Sequence, residues 1–241
     1  MLTKGQIKLI KSLSQKKFRN EHQLFVVEGV KGIQEFLNSD FELFELFTID
    51  AVFDSKVQLI TEIELKKISS LTTPNMAIAI FKMPKPRPIN GSGIIVALDA
   101  VRDPGNLGTI IRLCDWFGVK DLVCGVDTVD CFNTKVVQAT MGSLTRVSIN
   151  YVDLDEYLGA AKAIKFGTFM NGETIYSQEL PSEGIIIFGN EANGISSKVE
   201  KFVNRKISIP KFGKLKATES LNVATAAAIV LSEFNRCSIE K

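Results

Sequence analysis

A chain of 241 residues, 45% hydrophobic and 23% charged, has room for one large domain or two ordinary ones and is too apolar for a disordered polymer. No apolar run approaches the roughly 18 residues of a membrane span, and the first twenty residues lack a signal peptide's apolar core, so a cytoplasmic protein with no membrane partner is expected. The net charge of +2 argues for no partner by itself, while one histidine (His22) and four cysteines without CxxC spacing (Cys114, Cys124, Cys131, Cys237) leave no metal expected and exclude a Ser-His-Asp hydrolase.

Residues 1–20 form a basic arm with Lys4, Lys8, Lys11, Lys16, Lys17 and Arg19 and no acidic side chain. The pattern then predicts a strand at 25–29, a helix at 30–39 with Val30, Ile33, Phe36 and Leu37 on one face, strands at 43–50 and 56–60, a helix at 61–71 and a buried strand at 76–83. Residues 1–82 thus read as a small α/β module. In the stretch KMPKPRPINGSG that follows, alternating prolines force extended backbone and Gly-Ser-Gly adds flexibility, which makes 83–92 a linker. Residues 93–241 alternate strand and helix. Strands are expected at 94–99, 121–126, 146–152, 165–170, 184–189 and 205–210, and helices at 109–118, 133–144, 153–164 and 221–236. Short apolar strands between helices imply a parallel sheet covered on both faces. Charge alternates on a coarser scale. Residues 31–70 lean acidic, whereas Lys198, Lys201, Arg205, Lys206, Lys211, Lys214 and Lys216 oppose only Glu200. Basic regions flanking an acidic one suit a polyanion held on one side.

In a parallel sheet the ligand sits where loops leave the carboxyl ends of the strands. Three such loops are unusual: LDAVRDPGNLGTIIR (98–112), FGNEANGIS (188–196) and IPKFGKLKATESLNVATA (209–226). Separately each fits an ordinary turn or capped helix start. Neither GxGxxG after a strand nor GxxxxGK[ST] occurs, so dinucleotide oxidoreductases and P-loop enzymes lose their support.

Taken together and in this order, the three loops resemble the signature motifs of the SpoU/TrmH family of knotted (SPOUT) RNA methyltransferases. The first matches through Asn106 and Arg112, the second through Gly189, Glu191, Gly194 and Ser196, and the third through ISIP (207–210) and SLNVATA (220–226). More weakly, FVVEG (25–29) and SSLTTPNMAIAIF (69–81) resemble the family's RNA-substrate-binding domain. The segment KLKATE (214–219) is longer than the family pattern.

The resemblance implies an α/β protein: a C-terminal parallel-sheet SPOUT domain with a deep trefoil knot, preceded by a small α/β RNA-substrate-binding domain. It further implies methyl transfer from S-adenosylmethionine to a ribose 2′-hydroxyl of structured RNA, with large-subunit ribosomal RNA favoured, by a homodimer whose active site lies near the subunit interface. Carried over by position, Gly189, Ile209 and Leu221 contact the cofactor through their backbones, with Met141, Phe188 and Asn222 beside them. The catalytic set is Arg112, Asn106, Glu191, Ser220 and Asn222. A guanidinium is normally charged, so Arg112 is expected to grip a phosphate and stabilise the developing alkoxide, oriented by Asn106 and Glu191. Ser220 and Asn222 are expected to position the ribose or complete the cofactor loop. The alternatives are a methyltransferase acting on a base nitrogen and a non-catalytic RNA-binding protein on the same fold. The Asn106–Arg112 spacing with Ser220-Leu221-Asn222 favours ribose.

Overall fold

The computed structural model describes residues 1–54, 56–213, 215 and 220–239. Two compact units emerge, one of residues 1–85 and 130–146 and one of 86–129 and 147–241.

In the first unit the basic arm is helical. Thr3 and Gln6 form a reciprocal capping box that opens α1 (Lys4–Ser12), and α2 (Lys16–His22) follows. Ile10 and Leu13 leave this arm to enter the core, while its lysines stay exposed. Strands β1 (Leu24–Glu28), β2 (Leu43–Thr48), β3 (Gln58–Leu59) and β4 (Ala77–Lys82) make a mixed sheet ordered β1-β4-β2-β3, with α3 (Val30–Leu37) and α4 (Glu62–Ile68) between them. Each face of the sheet is apolar. Leu24, Val26, Phe47, Ile78 and Ile80 pack with Leu65 and Ile68, whereas Phe25, Phe36 and Phe81 form an aromatic cluster.

Residues 130–146, which sequence places inside the C-terminal domain, pack with this first unit. Phe132 lies 4.7 Å from Phe25 between ring centroids, and α6 (Thr134–Thr140) packs against β1. Arg19 belongs to the same anchorage. Its side chain is buried, with Nη2 2.5 Å and Nε 3.0 Å from Asp130 Oδ2, while Nη1 donates to the carbonyls of Leu13 and Ser14. One of the six basic groups of the arm is therefore an internal structural cation. Every polar atom around it is paired, the condition under which a buried ion pair is tolerated.

The second unit carries the expected parallel sheet. Its strands are β5 (Ile94–Leu98), β6 (Asp121–Gly125), β7 (Ser148–Val152), β8 (Lys165–Thr174), β9 (Gly184–Phe188) and β10 (Arg205–Ser208). They are ordered β10-β8-β9-β5-β6-β7 and every neighbouring pair is parallel. All residues of β6 and β9 are buried, as strands covered on both faces require. The helices are α5 (Pro104–Trp116), α7 (Leu154–Ala160), α8 (Ser197–Glu200) and α9 (Val223–Ile239).

Several boundaries differ from expectation: α6 ends at Thr140 and α7 at Ala160, each four residues early, and α4 and β3 are also shorter. Helix α5 begins at Pro104 rather than at 109, because the Asp103 carboxylate accepts from Asn106 N at 2.8 Å and proline stands at the first turn. Strand β8 runs to Thr174 rather than ending at 170. On α9, Ala227, Val230, Leu231 and Phe234 are buried within the chain, and Phe234 meets Phe166 edge-on at 5.1 Å. Much of this helix's apolar face is therefore covered without a second subunit. No described helix is long and apolar enough to cross a membrane. Lys214 and Lys216, and most of the KLKATE segment, lie outside the described residues.

Candidate active site

The loops that follow β5, β9 and β10 meet at the carboxyl end of the sheet, and side-chain hydrogen bonds join all three. Glu191 is the hub. Its Oε1 accepts from Asp103 N at 3.2 Å and from Asn106 Nδ2 at 3.0 Å, and its Oε2 accepts from Arg102 N at 3.3 Å and Asn190 Nδ2 at 3.4 Å. Asn106 passes the connection on, since its Oδ1 accepts from Asn222 Nδ2 at 2.8 Å. Asn222 Oδ1 in turn accepts from Ala224 N and Thr225 N, capping α9. Partial burial pushes the Glu191 pKa upward, but donation from Asn106 and the amides of Asp103 and Arg102 outweighs it and holds the carboxyl below its usual range. An ionised, four-fold-bonded carboxylate fixes loop geometry and is a poor proton acceptor.

Two residues that sequence did not single out complete the frame. Asn190 donates Nδ2 to Ala100 O at 2.7 Å and accepts at Oδ1 from Ala192 N and Asn193 N, an Asx-type turn. Asp99 accepts at Oδ2 from Ser196 N at 2.7 Å. The asparagine-rich FGNEANGIS loop carried a signal for the turn. It carried none for partners about ninety positions away.

Behind this frame lies a cavity of about 840 Å³. Phe188, Gly189, Ile209, Ser220, Leu221 and Asn222 all line it, as does Glu191. Gly189 cannot be replaced without moving backbone, because a Cβ there would lie 2.1 Å from the carbonyl carbon of Gly194. The absence of a side chain lets Asn190 and Gly194 bond to each other and close the 189–194 turn. Among the described residues of the lining, Glu191 and Lys211 are the charged ones.

The structure does not bring the whole expected set together. Met141 belongs to the first unit, in a left-handed turn after α6, and does not line the cavity. Arg112 is exposed on α5 and also lies outside the lining. No hydrogen bond joins it to Asn106 or Glu191, which bond instead to each other. Six residues of α-helix rotate the chain by about 600° and advance it about 9 Å, so Asn106 and Arg112 cannot share a face. Arg112 stands in an outward stripe with Gly105, Thr109 and Trp116, and Trp116 is 83% exposed.

Comparison with known proteins identifies two matching regions. Residues 93–232 match the SpoU rRNA Methylase family, and residues 4–79 match the MRM3-like substrate binding domain. A 23S rRNA (guanosine(2553)-2′-O)-methyltransferase, RlmP of Bacillus subtilis, is 31% identical over 238 residues, covering 94% of each chain. A protein of the TrmH family from Porphyromonas gingivalis superposes with a TM-score of 0.89 at 36% identity, over 98% of this chain and 99% of that one. An AdoMet-bound rRNA methyltransferase from Sinorhizobium meliloti gives 0.86 at 29% identity, over 98% and 96%.

Proposed function

The chain belongs to the SpoU rRNA methylase family, and on that footing we propose that it transfers a methyl group from S-adenosylmethionine to a ribose 2′-hydroxyl of large-subunit ribosomal RNA. The observation that carries this reading is the hydrogen-bonded frame Glu191–Asn106–Asn222, which locks three loops around one cavity. The residues present fit the cofactor. The cavity lies within the roughly 300–1,000 Å³ of small-molecule sites. Its wall includes Gly189, Ile209 and Leu221, whose backbones we assign to the cofactor, together with the apolar residues Phe188, Ile207 and Val230. S-adenosylmethionine, when bound, supplies a methyl group already activated by a sulfonium.

The protein's own contribution is positioning and charge. Asn106, Glu191 and Asn222 act as positioning residues, since their polar atoms are engaged with each other and with backbone amides. Ser220 is different. It lines the cavity, is exposed and forms no hydrogen bond among the described residues, and we assign its hydroxyl to the ribose. Arg112 grips the phosphate next to the target ribose and stabilises the alkoxide. Its outward placement on α5 suits a homodimer in which a second copy lies against the Arg112–Trp116 stripe. The first unit, whose match is to a substrate-binding domain, holds RNA through the exposed lysines of α1 and α2. We further assign the second unit the trefoil knot of its family, in keeping with its parallel sheet, and assign the protein to the cytoplasm.

The test is calorimetric titration with S-adenosylmethionine, with NADH as control, followed by transfer of labelled methyl to unmodified large-subunit ribosomal RNA. Saturable binding of the former alone and a 2′-O-methylated product support the assignment. Binding without transfer to RNA refutes it.

A further inference from the structure

An apolar rim borders the cavity. Met170, Phe212 and Leu221 line the cavity and are 58%, 84% and 48% exposed. Beyond them Tyr176, 47% exposed, holds its ring 6.5 Å from that of Phe212 between centroids, inclined by 32°. Single exposed apolar residues are ordinary. Here two exposed aromatic rings, tilted by 32° to each other, stand together beside the cavity. Their placement follows from topology. Tyr176 lies just beyond the end of β8 and Phe212 just beyond the end of β10, and these strands are adjacent and parallel, with Thr174 opposite Ser208. Both rings therefore emerge at the carboxyl edge of the sheet.

The local charge identifies the occupant. Lys211, next to Phe212, is exposed and forms no ion pair among the described residues. An ammonium next in sequence to an exposed aromatic pair suits a polyanion carrying planar rings and opposes an apolar protein surface. We propose that Phe212 and Tyr176 form a stacking platform for an unpaired RNA base flanking the methylated ribose, with Lys211 on its phosphate. This rests on the RNA methyltransferase reading above. It adds a reason for substrate to be single-stranded at the target: a base inside a helix is stacked on its neighbours and has no free face to offer.

The experiment uses the full-length protein. Tyr176 does not line the cavity, so Tyr176→Ala leaves S-adenosylmethionine affinity at the wild-type value. The same change raises the KM for unmodified large-subunit ribosomal RNA by about 5- to 150-fold, the range of one base–aromatic stack. It leaves the salt dependence of RNA binding unaltered, because no phosphate contact is removed. Phe212→Ala raises the RNA KM likewise, and Phe212→Trp restores it. A short unstructured oligoribonucleotide containing 2-aminopurine is quenched on binding wild type, less by either alanine variant. An RNA KM and a quench unchanged in both alanine variants overturn the proposal. So does a change in sedimenting mass, which assigns the rim to contact between copies. If wild type methylates no RNA yet its quench still depends on Tyr176 and Phe212, the platform stands and the methyltransferase reading falls.

Discussion

Glu191→Gln is a nearly isosteric change that isolates the charge at the hub of the frame. The carboxylate receives two donors on each oxygen: Asp103 N and Asn106 Nδ2 on one, Arg102 N and Asn190 Nδ2 on the other. A glutamine retains one acceptor oxygen and turns an amide NH₂ toward the second pair of donors. Two hydrogen bonds are lost, and the donors left behind are exposed enough to bind water. At about 0.5–1.5 kcal/mol net for each bond, the variant loses about 1–3 kcal/mol, toward the lower figure because two of the distances exceed 3.2 Å. Urea denaturation measures this through the midpoint at constant slope. The pH dependence supplies the sharper check. The folded-state pKa of Glu191 is depressed, so its contribution is fully present above the unfolded-state pKa and is lost as pH falls through the folded value. The stability gap between wild type and variant should therefore hold near neutrality and narrow below the ordinary carboxylate range, where protonated glutamate resembles glutamine. A gap that stays constant or widens on acidification refutes the assignment of Glu191 as an ionised hub.

Arg112→Ala should abolish methyl transfer while leaving S-adenosylmethionine binding nearly intact, since Arg112 does not line the cavity; equal losses of binding and activity contradict its role. Gly189→Ala forces backbone apart at Gly194, so calorimetry should show cofactor binding lost or strongly weakened, and unchanged affinity would refute the close-approach account. Arg19→Ala leaves Asp130 buried without its partner and should cost about 3–5 kcal/mol in chemical denaturation, whereas a loss below about 1 kcal/mol would show the pair is not the anchor of residues 130–146. Transfer should survive a chelator in full; inhibition reversed by magnesium would mean a metal takes part.

The contrast between Arg19 and the lysines around it shows where sequence reasoning stopped. All six basic residues of the arm look alike in a charge count, and five of them are exposed as expected. The sixth is buried because Asp130, 111 positions away, is delivered to it by the segment that carries Phe132 and α6 back onto β1. Likewise the pattern of Asn106, Glu191 and Asn222 marked them as a set, and the resemblance led to the expectation that Asn106 and Glu191 orient Arg112. Helical geometry separates those faces, and Glu191, 85 positions from Asn106, takes the contact instead.

Sequence by itself determined the alternation of strands and helices in 94–236, the burial of β6 and β9 on both faces, and the three loops around which the cavity forms. These properties depend on neighbours in the chain: apolar spacing, turn residues and a side chain within reach of the next amide. Tertiary structure alone decided that 130–146 packs with the first unit, that Glu191 is a hub, and that Phe212 stands beside Tyr176. Each of those pairings joins residues brought together by strand order and crossover, and strand order is set by the sum of many weak packing contacts, which no local pattern records.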